Sequence, residues 1–91
     1  MLFEWDDEKE RINAAKHGID FSMAALVFGD DNRIEKYDEL HSINEDRYIT
    51  IGKINGIAVV VMVVYTERKN SIRIISARLA TRLEEEAYYN D

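Results

Sequence analysis

Cysteine is absent from the 91 residues. Neither a disulfide framework nor a cysteine-based zinc site is therefore available, which fits a reducing compartment. Long apolar runs are also missing. The longest, Ile57–Tyr65, has nine residues, enough for a buried strand and far short of the ~20 that span a bilayer. The opening Met1-Leu-Phe-Glu-Trp-Asp-Asp7 has neither the basic head nor the apolar stretch of a signal peptide, so a cytoplasmic protein with no membrane role is expected. No glycine-rich phosphate loop is present. His17, His41 and the scattered carboxylates match no zinc or calcium spacing, so neither metal nor cofactor is expected. Asp38, His41 and Ser42 name the members of a catalytic triad, but neighbours in one loop rarely reach that geometry, and no oxyanion-hole motif accompanies them.

Apolar residues make up 46% of the chain, enough for a real core. The length predicts one domain over residues 1–91, with only ~60–65% of the unfolded surface buried. The net charge of −6 argues against a nucleic-acid ligand, but its distribution says something different. Residues 1–46 hold thirteen acids and five bases, residues 47–82 one acid and seven bases, and residues 83–91 four acids. One confined stretch is built to attract anions.

Leu2–Trp5 reads as a short edge strand. Asp6 is a natural N-cap for a helix ending near His17, where Gly18 supplies a left-handed stop. Asp20 caps a second helix, with Phe21, Ala24, Ala25 and Phe28 on one face and Gly29 as its end. A short strand near Arg33–Tyr37 precedes a loop. Strands at Arg47–Lys53, Ile57–Thr66 and Ser71–Ala77 follow, the first two joined by the turn signal Asn55-Gly56. Ile57–Val64 is apolar at both parities and so should be central. Thr81 and Glu84 have capping-box spacing for a last helix ending near Tyr89. The order β-α-α-β-β-β-β-α predicts an α+β domain with helices on an antiparallel sheet.

The basic stretch carries Arg68, Arg73, Arg78 and Arg82. Arginine suits phosphate because its planar fork donates two bonds at once and keeps its charge. Strand alternation predicts Arg73 and Arg78 on opposite faces, one structural and the other in a cleft. His17, in Lys16-His17-Gly18, is either a general acid or base titrating near neutrality or a plain helix C-cap. Trp5, Tyr65 and the Tyr88-Tyr89 pair either stack bases or pack the core and edges.

These residues also form a pattern. Phe3-Glu-Trp-Asp6, Asn13, Lys16-His-Gly18, Phe21, Ala25, Val27-Phe28, Asp38, His41-Ser42, Glu45, Arg47, Ile51-Gly52, Tyr65-Thr-Glu-Arg68, Arg73-Ile-Ile-Ser-Ala-Arg78, Ala80, Arg82 and Glu84 together resemble the BrnT family over nearly the whole chain. The resemblance implies a RelE-like fold and a metal-independent ribonuclease toxin of a type II toxin–antitoxin pair. It also implies neutralisation by a BrnA-type antitoxin, with operator DNA bound only through that partner. The alternative is a non-catalytic binding subunit serving operon autoregulation. On the toxin reading a base activates the ribose 2′-hydroxyl, cations meet the charge on the phosphoryl oxygens, and an acid protonates the leaving 5′-oxygen. By resemblance, Arg68 and Arg78 stabilise the phosphate and His17 transfers protons. Lys16, Arg47, Arg73 and Arg82 bind RNA. Glu67 is a base or, preferably, the partner that orients an arginine, and Tyr88 is a further acid–base candidate. One departure is Glu84-Glu-Glu86, where family members often have a basic helix; it either suits a basic antitoxin segment or marks reduced activity.

Overall fold

The structure, a computed structural model, describes residues 1–90; Asp91, the last residue of the expected domain, lies outside them. In chain order it contains β1 (Phe3–Glu4), α1 (Asp7–His17), α2 (Phe21–Ala25), a 3-10 turn (Leu26–Gly29), β2 (Ile34–Tyr37), β3 (Tyr48–Lys53), β4 (Val60–Glu67), β5 (Ile72–Leu79) and α3 (Arg82–Asn90). This is the expected α+β order, with a helix pair first and a single helix last.

Local chemistry sets the boundaries. The Asp6 carboxylate accepts from the Lys9 N–H at 2.9 Å and opens α1. Gly18, at φ 73°, closes it by donating its N–H to the Ala14 carbonyl. Asp20 caps α2 by accepting from the Met23 N–H at 2.8 Å. After Ala25 the helix tightens, so Val27 turns inward as well as Phe28. At the far end Thr81 and Glu84 form the reciprocal capping box, each N–H donating to the other's side chain.

The sheet order is β1-β5-β4-β3-β2. β2 to β5 are antiparallel neighbours, and β1 joins β5 in parallel at the edge. β4 is central, as its two-sided apolar pattern requires. Val61, Val63 and Tyr65 face the helix pair and pack with Phe21, Val27 and Ile74. Val60 and Met62 face the other way, with Ile51, beneath Ala80 and Tyr88. The strand starts later than its sequence pattern. The turn at Gly56, φ 83°, is closed by Ile57 N–H donating to Ile54, and it leaves Ile57 and Val59 outside the ladder, each 39% exposed.

One irregularity decides which way the arginines point. Along β4–β5 the pairs step from Val64↔Ser76 to Tyr65↔Ile74, leaving Ile75 without an opposite residue. This β-bulge shifts the alternation by one. Ile74 and Ala77, three apart, consequently both enter the core beneath the helix pair. Arg73 lies opposite Thr66 and Arg78 opposite Met62. The expected opposition of Arg73 and Arg78 is therefore wrong: both occupy the face turned away from the helix pair, because the strand is not regular between them.

The bulged strand is held from its outer side. β1 pairs with β5 only at Ile72 and Arg73. Farther along, the buried Asn13 side chain takes over. Its Oδ1 accepts from Ala77 N–H at 3.1 Å, while Nδ2 donates to Ala77 O at 2.8 Å and to Ile19 O at 3.0 Å. The amide reproduces the pair of bonds another strand would make and also secures the α1–α2 corner. Asn13→Ala leaves these buried groups unpaired and is expected to cost about 2–4 kcal/mol. Urea unfolding checks this; a loss below about 0.5 kcal/mol, the range of ordinary surface substitutions, would contradict the role.

Candidate functional site

Antiparallel pairing gathers the basic stretch at two ends of the sheet. At the first end are the start of β5, the end of β4 and the start of β3. Here Arg73 Nη1 lies 2.9 Å from Glu4 Oε2, and Arg68 Nη1 2.6 Å from Glu45 Oε2. The Ser71 hydroxyl, and after it Arg73, holds the Glu4 carboxyl below the usual carboxylate range. Arg47 stands half-buried at the same end, its N–H donating to the Ser42 hydroxyl oxygen at 2.8 Å. Ser42 in turn donates to the Asp38 carbonyl, so it clasps the β2–β3 loop rather than facing His41. The His41 ring instead lies 3.0 Å from the Asp38 carboxylate.

At the second end Arg78 is gripped by Glu84, Nη1 to Oε1 at 2.8 Å and Nη2 to Oε2 at 3.0 Å. Glu84 also accepts from Thr81 N–H at 2.8 Å, so one carboxylate caps α3 and orients the guanidinium. The paired Arg78 holds the Glu84 carboxyl below its ordinary value. Arg82 reaches Glu86 at 3.3 Å from an almost fully exposed position. Tyr88 packs on the Ile51, Val60 and Met62 cluster and donates its hydroxyl to Asp30 at 2.6 Å. That hydrogen bond, with burial, pushes the phenol up to about 12, so it stays protonated near neutrality. Asp30 also accepts from Lys53 N–H at 2.8 Å. This crossing passes so close to Gly52 that an added Cβ would stand 2.9 Å from Arg33 Cβ and 3.1 Å from Asp30 Oδ2.

The residues singled out from the sequence do not all converge. Arg68 and Arg78 sit at opposite ends of the β4–β5 ladder. From Glu67 to Met62 along β4 is roughly 16 Å by the strand rise, too far for both to hold one phosphate. Glu67 lies opposite Ile72, which turns it toward the helix side. It pairs with no arginine among the described residues; Glu45, Glu4 and Glu84 do that work. The expectation that Glu67 orients an arginine is corrected by strand alternation. Lys16 and His17 end α1, in the helix layer, and no hydrogen bond or ion pair among the described residues joins His17 to the arginines, Glu67 or Tyr88.

What the fold does place on one face of β5 is Arg73, Ser76 and Arg78, the two arginines roughly 13 Å apart by the strand rise, with Glu4 and Glu84 as their acids and Tyr88 beyond Met62. Sequence reading missed Glu4 and Glu84 as arginine partners. The capping-box spacing marked Glu84 as a helix cap, but nothing local marks the strand-to-helix corner that returns it onto Arg78. An open cleft of about 940 Å³ lies beside this end, lined by Leu26, Asp30, Asp31, Lys53, Ile57 and Tyr88 among others. Among the described residues no group of three or more His, Cys, Asp or Glu side chains is placed to hold a metal ion, and no helix is long and apolar enough to cross a membrane.

Comparison with protein families matches residues 5–84 to the model of the ribonuclease toxin BrnT of type II toxin–antitoxin systems. This chain belongs to the BrnT family of ribonuclease toxins. The crystal structure of the Brucella abortus ribonuclease toxin BrnT superposes with a TM-score of 0.65 at 26% identity, covering 90% of this chain and 100% of that one. Comparison with curated protein sequences finds no match. Membership of a type II toxin–antitoxin family implies an antitoxin partner. The family match takes in Asn13, the bulge and the Arg78–Glu84 clamp, and it stops before Tyr88.

The clamp has a measurable pH signature. A carboxyl whose folded pKa lies below its ordinary 4.5 contributes stability that is complete above that pH and fades as pH falls through the folded value. Glu84→Gln is therefore expected to lower stability at pH 7 by about 1–2 kcal/mol. The difference from wild type should shrink on acidification below pH 4.5; a pH-independent difference in Tm would contradict an ionic clamp.

Proposed function

We propose that this chain is a metal-independent endoribonuclease toxin, acting in the cytoplasm and neutralised by a BrnA-type antitoxin. The observation that carries the reading is the bulge at Ile75, which puts Arg73 and Arg78 on one face of a toxin-family sheet. Arg78 is the phosphate-stabilising residue, and Arg73 positions the RNA strand along β5. Arg68 and Arg47, at the far end, bind flanking RNA, and Lys16 and Arg82 add outer positive charge.

A ribonuclease of this kind has to deprotonate the 2′-hydroxyl, meet the negative charge on the phosphoryl oxygens and protonate the departing 5′-oxygen. Arg78 supplies the charge through a planar fork. When phosphate takes that fork, Glu84 is released beside it as a base for the 2′-hydroxyl proton. Tyr88, on the same face and protonated, is the acid for the 5′-oxygen. In this scheme His17 and Glu67 take no part, because they belong to the helix side.

A second reading has its own observation. Arg68, Arg73, Arg78 and Arg82 are all paired with acids in the free chain, as suits a binding subunit whose charges organise the protein and its antitoxin. In that case operon control would run through the antitoxin on operator DNA. The two readings separate in one assay. With chelator present, purified protein should cleave RNA, and Arg78→Ala should lose about 10²–10³-fold in rate while its unfolding curve stays cooperative. Arg78→Lys, which keeps the charge without the fork, should fall between them. Undiminished cleavage by Arg78→Ala would overturn its role, and RNA bound without cleavage by wild type would favour the binding subunit.

A further inference from the structure

Along β2 one edge of the sheet is open, and the surrounding chemistry restricts what can occupy it. Among the described residues β2 pairs with β3 on one side only, and Glu35, Lys36 and Tyr37 are exposed. The Asp38 N–H donates to the Arg47 carbonyl at 2.9 Å. By antiparallel alternation Lys36 and Ile34 also turn their backbone groups toward β3, while Glu35 and Tyr37 turn theirs outward. Two N–H and two C=O groups thus form a template for another strand.

A second copy of the chain is a poor occupant. Two β2 strands related by a two-fold axis keep their faces, so residues of like parity oppose each other. In the registers that overlap most of the strand, Glu35 meets Glu35 or Lys36 meets Lys36. Like charges directly opposite destabilise a strand pair.

The helix-side face next to this edge favours cations. It carries Glu35, Tyr37 and Tyr48, with the Tyr37 and Tyr48 rings 5.7 Å apart, edge to face, and Tyr48 stacked on Tyr65 at 5.6 Å. The Tyr37 hydroxyl donates to Asp46 at 2.9 Å and that of Tyr65 to Glu35. Burial chiefly, and next the nearby carboxylates Asp46 and Glu67, raise the Tyr48 phenol. Arg33 is the nearby cation, already bonded to Glu35 and lying over the Phe28 ring. Lys36 points to the opposite face, across from Ile49. Aromatic faces with carboxylates attract lysine and arginine.

We propose that the β2 edge accepts an extended segment of a partner protein as a sixth strand, with Lys or Arg opposite Glu35 and Tyr37 and an acidic residue opposite Lys36. Backbone bonds supply the affinity, and the base–acid–base alternation supplies the selectivity that the chain's own β2 lacks. The proposal does not depend on RNA cleavage, which the proposed function assigns to the other face and which should be unchanged by substitutions at Tyr37.

The probes are two peptides, Thr-Val-Arg-Glu-Arg-Val-Thr and its charge-swapped form Thr-Val-Glu-Arg-Glu-Val-Thr, added to the full chain. Amide hydrogen exchange followed by NMR should show Glu35 and Tyr37 slowed about tenfold or more by the first peptide, with Lys36 unchanged because its N–H is already bonded inward. The first peptide should bind about tenfold tighter than the second. Tyr37→Pro removes an outward donor without touching the β2–β3 ladder, and it should weaken binding by about tenfold beyond Tyr37→Ser. Equal affinity for the two peptides, no binding of the first at about 1 mM, or binding without protection at Glu35 and Tyr37 would each overturn the proposal. The exchange experiment uses the unaltered chain, so it stands even where Tyr37→Pro fails to fold.

Discussion

The hydrogen bonds of Asn13 to Ala77 are the constraint on which the face of β5 depends. A strand with a bulge and only two residues of β1 beside it has unpaired backbone along its outer edge. A buried unpaired amide or carbonyl costs about 1–3 kcal/mol, so that edge needs a partner. Asn13 supplies both a donor and an acceptor where they are required, and its second donor bond fixes the corner at Ile19. With Ala77 anchored against α1, the next residue, Arg78, has to point away from the helices. A packing contact inside the helix layer thereby determines the chemistry on the opposite face.

The charge pattern acquires meaning from the same arrangement. In a chain of net charge −6, the basic stretch does not float free; Arg68, Arg73, Arg78 and Arg82 are each matched with an acid contributed by another segment or by α3. Exposed pairs of this kind are worth only about 0–1 kcal/mol, so separating them costs little at Arg82 or Arg68. Arg78 differs. Its bidentate bond is half-buried and doubles as the cap of α3, so the orientation of Arg78 is coupled to the seating of that helix. α3 has no fully buried residue and is held chiefly by that clamp, by Tyr88 and by the Lys53 ammonium over Tyr89.

Much of the fold was legible in the residues themselves. Asp6, Gly18 and Asp20, the turn at Asn55-Gly56 and the Thr81–Glu84 box all act within a few positions, where spacing and stereochemistry suffice. The central place of β4 followed from apolar residues at both parities. The candidate site was less legible. The resemblance made Glu67 a base or, preferably, an arginine's partner, yet strand alternation turns it to the helix side, away from its neighbour's face. Arg68 and Arg78 were paired by the family resemblance as phosphate stabilisers, yet the β4–β5 hairpin places them at its two ends.

Sequence by itself determined the element order, the caps, the identity of the central strand and the confinement of positive charge to residues 47–82. Those are properties of local stereochemistry and composition. Tertiary structure decided which cations share a surface. The bulge at Ile75 is a feature of the pairing with β4, and Ala77 just beyond it is held by Asn13, 64 positions away in the chain. One unpaired residue reverses every side chain beyond it. For that reason Arg73 and Arg78, which alternation along an isolated strand would separate, lie on the same face of the sheet.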